Sequence, residues 1–171
     1  MTENIKMPLE GIKVIELATV VAAPTAGRML SAYGAEVIKI ESLAGDDYRV
    51  AGNFERVVCE DYKNPLFTIQ NSGKKLTSIN LKHPDGKAAM LKLLEDADVF
   101  LTNVRTGGLQ RLGLDYESLH ERYPKLVYAH FSGFGPKGPV ASNPGFDSTA
   151  FWLRSGPMAD WQVPGSFPFN P

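Results

Sequence analysis

Two arginines, a glycine pair and an asparagine stand together in Asn103-Val104-Arg105-Thr106-Gly107-Gly108-Leu109-Gln110-Arg111. Guanidinium forks match phosphate oxygens, and glycine lets a backbone approach a ligand closely. The run follows a predicted parallel strand, and open α/β sheets bind ligands outside the carboxyl ends of their strands. A phosphate site is one reading; a pair of solvated surface arginines is the other. Asn71-Ser72-Gly73-Lys74-Lys75 and Lys82 add basic groups near other predicted strand ends. Together these groups suit a ligand with several phosphates. Pro144-Gly145-Phe146-Asp147 precedes a predicted helix, so Asp147 is either its N-cap or a site carboxylate.

Other chemistries lack their parts. A dinucleotide pyrophosphate needs G-x-G-x-x-G at the first strand-to-helix turn, and Ala18-Thr19-Val20-Val21-Ala22-Ala23-Pro24 has no glycine. NAD and FAD are therefore excluded, and Glu41 reads as a strand-end acid rather than a ribose ligand. Gly133-Phe134-Gly135-Pro136-Lys137-Gly138 has the glycine spacing, but Pro136 and Pro139 oppose a following helix. It reads as a turn. No G-x-S-x-G, His-x-x-x-His or Cys-x-x-Cys occurs, and His83, His120 and His130 are dispersed. Neither a zinc site nor a serine-hydrolase triad can be assembled from these spacings.

The elements that must position the basic groups follow from periodicity. Ile12 to Ala18 and Ala35 to Glu41 read as buried strands, with a helix from Pro24 to Tyr33 between them. Gly34 ends that helix in the left-handed region. This is a βαβ unit and implies a parallel sheet. Ser42 to Pro65 reads as a long loop with a helical turn. Leu76 to Leu81 is a third strand, and Pro84 opens a helix with Ala89, Met90, Leu93, Leu94 and Ala97 on one face. Asp98 to Asn103 and Leu126 to Ser132 are further strands, around a helix that Asp115 caps and that ends near Tyr123. Phe146 to Ser155 reads as a helix. From Gly156 onward prolines and glycines leave no regular period.

The chain has 171 residues, 43% of them hydrophobic and 22% charged, with a formal charge of −1. That balance excludes a protein built to coat nucleic acid. A single cysteine, Cys59, excludes an intramolecular disulfide and fits a reducing, cytoplasmic compartment. The longest apolar run, Leu17 to Pro24, is too short to cross a membrane. The expected class is α/β, a Rossmann-like parallel sheet with flanking helices.

Pro8-Leu9-Glu10-Gly11-Ile12-Lys13-Val14-Ile15-Glu16-Leu17 and Gly34-Ala35-Glu36-Val37-Ile38-Lys39-Ile40-Glu41 resemble the opening of the class III CoA-transferases. This family includes formyl-CoA transferase, carnitine CoA-transferase and α-methylacyl-CoA racemase. The likeness continues through Gly45-Asp46, Asn71-x-x-Lys74, Leu81-Lys82-x-Pro84-Asp85-Gly86, Ala97-Asp98-Val99, Asn103-x-Arg105-x-Gly107-x-Leu109-x-Arg111-Leu112-Gly113-Leu114, Gly133-Phe134-Gly135 and Pro144-Gly145-Phe146-Asp147. It is strongest to the branch that moves CoA between 2-hydroxy acids and 2-enoyl-CoAs in amino-acid fermentation.

The resemblance implies a coenzyme A site at Val21, Ala22, Ser42, Ile79, Asn80, Leu81, Lys82, Asn103, Val104, Arg105, Arg111, Pro144, Gly145, Phe146 and Asp147. Ser42 stands where some members carry an arginine. Phe146 stands where the racemases carry an acid/base histidine, which opposes racemisation. In the transferases an aspartate attacks the acyl-CoA and becomes an aspartyl-CoA thioester. Its Gly-Asp motif does not occur between Phe146 and Pro171, so the nucleophile is expected after Pro171. Residues 1–155 are then an incomplete CoA-binding domain, and 156–171 a segment leading toward the catalytic region. The implied substrates are an acyl-CoA and a 2-hydroxy acid, with a homodimeric parent enzyme and no metal or nicotinamide. A non-catalytic CoA-binding or interaction module is the alternative.

Overall fold

Val14, Ile15, Glu16 and Leu17 are all buried, on both faces of their strand. A run buried on both sides belongs at the centre of a parallel sheet. The computed structural model describes residues 6–50 and 64–166, and in it this strand, β1 (Lys13–Leu17), is central. It pairs in parallel with β2 (Glu36–Glu41) on one side and β4 (Val99–Thr102) on the other. β3 (Lys75–Ser78) and β5 (Val127–His130) are the edges, giving the order β3-β2-β1-β4-β5. The strand order reverses between β1 and β4, which opens a crevice at their carboxyl ends.

Alternation along the strands sorts the core into two layers. Ile15, Leu17, Ile40 and Phe100 face Met90 and Leu94 of α3 (Pro84–Glu95), Leu109 of α4 (Thr106–Leu112) and Leu119 of α5 (Tyr116–Arg122). On the other face, Val14, Val37 and Leu101 meet Ala23 of α1 (Ala22–Ala32), with Ala18 and Ala35 beside them. The small residues here let α1 lie close to the sheet.

Gly34 has φ +101° and ends α1, as its place in the sequence implies. Asp115 caps α5, with Oδ1 accepting from the Ser118 amide at 3.2 Å and Oδ2 from the Ser118 hydroxyl at 2.9 Å. The helical turn expected after Ser42 is a 3₁₀ turn at Asp47–Arg49. Cys59 and most of the rest of that loop lie outside the described residues.

Five elements differ from the sequence reading. α2 (Pro65–Asn71) forms directly after the expected loop, capped by Asn64, whose side chain accepts from the Phe67 amide at 3.1 Å. β3 is shorter than Leu76 to Leu81: the chain turns at Ile79, where the Leu81 amide donates to the Ile79 carbonyl. The run Thr106–Leu112 is a helix despite its two glycines, because Leu109 is buried in the core. Phe146 to Ser155 is a wide π-helix, Asp147–Leu153, and a short α6 (Pro157–Asp160) follows where no period was visible. No helix among the described residues is long and apolar enough to cross a membrane.

Candidate functional site

The turn from β1 to α1 lies at the crevice, and its backbone is held from several sides. The Ala18 carbonyl accepts from Lys39 Nζ at 2.6 Å. Asn103 takes the Thr19 amide on Oδ1 at 3.1 Å and donates Nδ2 to the Thr19 carbonyl at 2.7 Å, bridging the two strand ends. The Val20 amide donates to Asp46 Oδ1 at 3.1 Å. The Val21 carbonyl accepts from the Thr25 amide and hydroxyl at 2.8 and 2.7 Å. What remains are the amides of Val21, Ala22 and Ala23, which meet no protein acceptor among the described residues. α1 has no side-chain cap and no acid in its first turn, so its positive end is not neutralised within its own helix.

Val20 has φ +70°, the one described non-glycine residue in the left-handed region. For a β-branched side chain that conformation costs about 1–3 kcal/mol and must be imposed by its surroundings. Beneath the turn lies a buried group of four charges. Lys39 Nζ meets Glu16 Oε1 at 3.1 Å and Asp46 Oδ2 at 2.8 Å. Lys74 Nζ meets Glu16 Oε2 at 2.7 Å, the Pro24 carbonyl at 2.8 Å and Asn71 Oδ1 at 3.0 Å. All four side chains are fully buried, and two cations balance two anions. Burial pushes the Glu16 carboxyl up and the Lys74 ammonium down, each against the attraction of the other.

Lys74 is therefore structural, not a ligand cation. Lys75 begins β3 at the opposite end of the sheet and pairs with Glu36. Both residues do lie at a strand end, the start of β3, but each is paired with a carboxylate. Glu41 behaves as the strand-end acid it was read as. Its oxygens take Arg49 Nε and Nη2, both at 2.8 Å, and the Asp46 amide at 3.0 Å. That bidentate bond raises the Arg49 pKa further. Ser42 is exposed beside this loop, its hydroxyl on the Gly45 carbonyl.

Two of the cations read for phosphate, Lys82 and Arg111, share one groove. An open groove of about 600 Å³ is lined by Leu81, Lys82, His83, Pro84, Lys87, Gly108, Arg111 and Leu112. It joins the turn after β3 to one face of α4 and holds three cations and no carboxylate. Lys82, Lys87, Arg105 and Arg111 form no ion pair among the described residues. Lys87 and His83 were not singled out from sequence. They stand four residues apart, which puts them on one face at the start of α3, and that spacing was the available signal.

Ile79 packs on the core, and Asn80 shapes the groove's rim: its Oδ1 accepts from the Lys82 amide at 3.2 Å. Gly86 is needed here, since a Cβ would lie 2.1 Å from the Asn80 carbonyl. Arg105 is the N-cap residue of α4, and the Val104 carbonyl meets His130 Nε2 at 2.9 Å. Pro144, Gly145, Phe146 and Asp147 are exposed, and they sit at the end of β5 through a glycine-on-glycine contact. A Cβ on Gly133 would lie 2.6 Å from the Gly145 Cα. The N-cap is Phe146, so Asp147 stands inside the first turn and not at the cap. No described hydrogen bond or ion pair ties this segment to the groove or to the crevice.

The chain is similar to known proteins over nearly all its length. Residues 9–168 match the model of CoA-transferase family III. The chain is 43% identical over 164 residues to the (R)-2-hydroxy-4-methylpentanoate CoA-transferase of Clostridioides difficile, covering 96% of this chain and 41% of that protein. It is 46% identical over 168 residues to the cinnamoyl-CoA:phenyllactate CoA-transferase of Clostridium sporogenes, covering 98% and 41%. It superposes on the crystal structure of a CAIB/BAIF family protein from Brucella suis with a TM-score of 0.87 at 35% identity, covering 96% of this chain and 43% of that one. The chain thus spans about two-fifths of the length of these relatives.

Proposed function

The chain belongs to CoA-transferase family III, and from that membership we propose that it is the CoA-binding part of an enzyme moving CoA from an acyl-CoA to a 2-hydroxy carboxylate. The observation that carries the CoA site is the groove with Lys82, Lys87 and Arg111 and no acid. CoA brings a 3′-phosphate and a diphosphate, and three cations in a protein of net charge −1 are a local, not a general, excess. The amides of Val21 and Ala22 supply further donors at the crevice. The acid is proposed as a 2-hydroxy acid because two relatives are named for such acids.

The covalent step needs a carboxylate free to attack a thioester. Glu16, Glu41 and Asp46 are each committed to a cation. The family resemblance puts the nucleophilic aspartate in a Gly-Asp motif that does not occur between Phe146 and Pro171, so the reading places it in the part of the relatives that this chain does not cover. On this reading the 171 residues bind CoA without exchanging it between acids, in a cytoplasmic, homodimeric parent enzyme.

Calorimetric titration with CoA and with 3′-dephospho-CoA tests the site. CoA binds the native chain, and Arg111→Ala weakens it about tenfold, the loss of one charge-assisted contact. No heat at millimolar CoA would remove the reading, and an unchanged affinity would remove Arg111 from the site.

A further inference from the structure

We propose that Asp46 is a positioning residue for the ligand-facing turn, holding Val20 in a left-handed conformation that its own side chain opposes. The proposal rests on the CoA reading in one respect, that this turn faces CoA.

Asp46 follows β2 by five residues, yet it reaches the end of β1. Its Oδ1 takes the Val20 amide at 3.1 Å and the Tyr48 amide at 2.9 Å. Its Oδ2 meets Lys39 Nζ at 2.8 Å, and its own amide is fixed on Glu41 at 3.0 Å. The same ammonium holds the Ala18 carbonyl, two residues before Val20. The segment Ala18-Thr19-Val20 is thus pinned by Lys39, Asn103 and Asp46 in turn. Among the described residues, only Asp46 hydrogen-bonds the residue with φ +70°. Without it the Val20 amide would lose its acceptor, and Val20 would relax toward the extended region. The Val21 and Ala22 amides follow directly in the chain and would turn away with it.

Holding a strained turn in advance means that the ligand does not have to select a rare conformation. Asp46 touches no ligand in this account. It acts through Val20, and through Lys39 it is tied to the buried charge group.

Two measurements separate the turn from the ligand. Amide hydrogen exchange, followed residue by residue in ¹⁵N–¹H spectra, reads Val20; calorimetric titration with free CoA reads the site. In the native chain the Val20 amide exchanges slowly. In Asp46→Ala that protection is lost and CoA affinity falls about tenfold, the penalty of an unsupported left-handed valine. Val20→Gly in the Asp46→Ala chain then restores affinity to within about threefold of native, because glycine takes positive φ freely. General damage to the fold would not be rescued by a glycine.

If Asp46→Ala does not fold, Asp46→Leu carries the same comparison, since it keeps the bulk and removes the acceptor of the Val20 amide. Unchanged Val20 protection with native CoA affinity in the Asp46 variant would overturn the proposal, and so would failure of Val20→Gly to restore binding. If the native chain binds no CoA, the CoA reading fails by itself. The exchange comparison then still decides whether Asp46 sets the turn.

Discussion

Replacing Gly27 by alanine sets two effects of opposite sign against each other. Gly27 lies inside α1, where alanine is favoured over glycine by about 1 kcal/mol. Propensity alone therefore makes the change stabilising. The packing says otherwise. A Cβ at this position would stand 1.9 Å from Glu16 Oε2 and 3.2 Å from Lys74 Nζ. Glu16 cannot yield freely, because Lys39 and Lys74 hold its two oxygens at 3.1 and 2.7 Å. α1 cannot yield freely either, because Ala23 is fully buried on the sheet. If Glu16 swings aside, one buried ammonium loses its partner, which costs about 3–5 kcal/mol. The net loss is then about 2–4 kcal/mol, a large share of the stability of an ordinary domain. Urea unfolding followed by far-ultraviolet circular dichroism measures it. Gly107→Ala is the control: Gly107 is exposed, a Cβ would meet only Arg111 Nη1 at 3.7 Å, and the expected change is neutral or a gain of up to about 1 kcal/mol. A Gly27→Ala chain as stable as native, or more so, would refute the reasoning. α1 would then not rest on the buried charges.

Two further outcomes follow from the same contacts. Asp115→Ala costs about 1 kcal/mol of stability at neutral pH through the lost cap of α5. Burial acts to raise the Asp115 pKa, but the hydroxyl and amide of Ser118 outweigh it and hold the carboxyl below its ordinary 3.8. A depressed folded pKa gives stability that is present above the unfolded value and lost as pH falls through the folded one. Urea midpoints of native and variant chains therefore differ above about pH 4 and converge below it, and a constant difference would contradict the assignment. Gly133→Ala places a Cβ 2.6 Å from the Gly145 Cα and pushes Pro144–Asp147 off the end of β5. Limited proteolysis should nick the 138–147 stretch about tenfold faster, while an unchanged rate would show that this contact does not hold the segment.

The central strands were legible because their β-branched runs are buried or half-buried on both faces, as in Val14-Ile15 and Val37-Ile38. Gly34 and Asp115 were legible because each is the residue type its backbone position demands. α4 was not, since Gly107-Gly108 reads as a loop locally and its helix is secured by distant contacts of Leu109. The basic groove was half legible. Lys82, Arg111 and Lys74 all read as basic groups near strand ends, yet Lys74 is buried against Glu16. Nothing local distinguishes them. The pairing of residues 16, 39, 46 and 74 joins four separate segments, and no spacing within any one of them encodes it.

Both tryptophans of the chain, Trp152 and Trp161, lie after β5, and their rings meet edge to face at 5.7 Å. Neither is among the buried residues of the two core layers. Tryptophan fluorescence, excited beyond the tyrosine band, is therefore a local probe of the π-helix and α6. It reports when that aromatic pair separates, and it is silent about the sheet. Its transition and that of circular dichroism are two separate thermometers in one molecule.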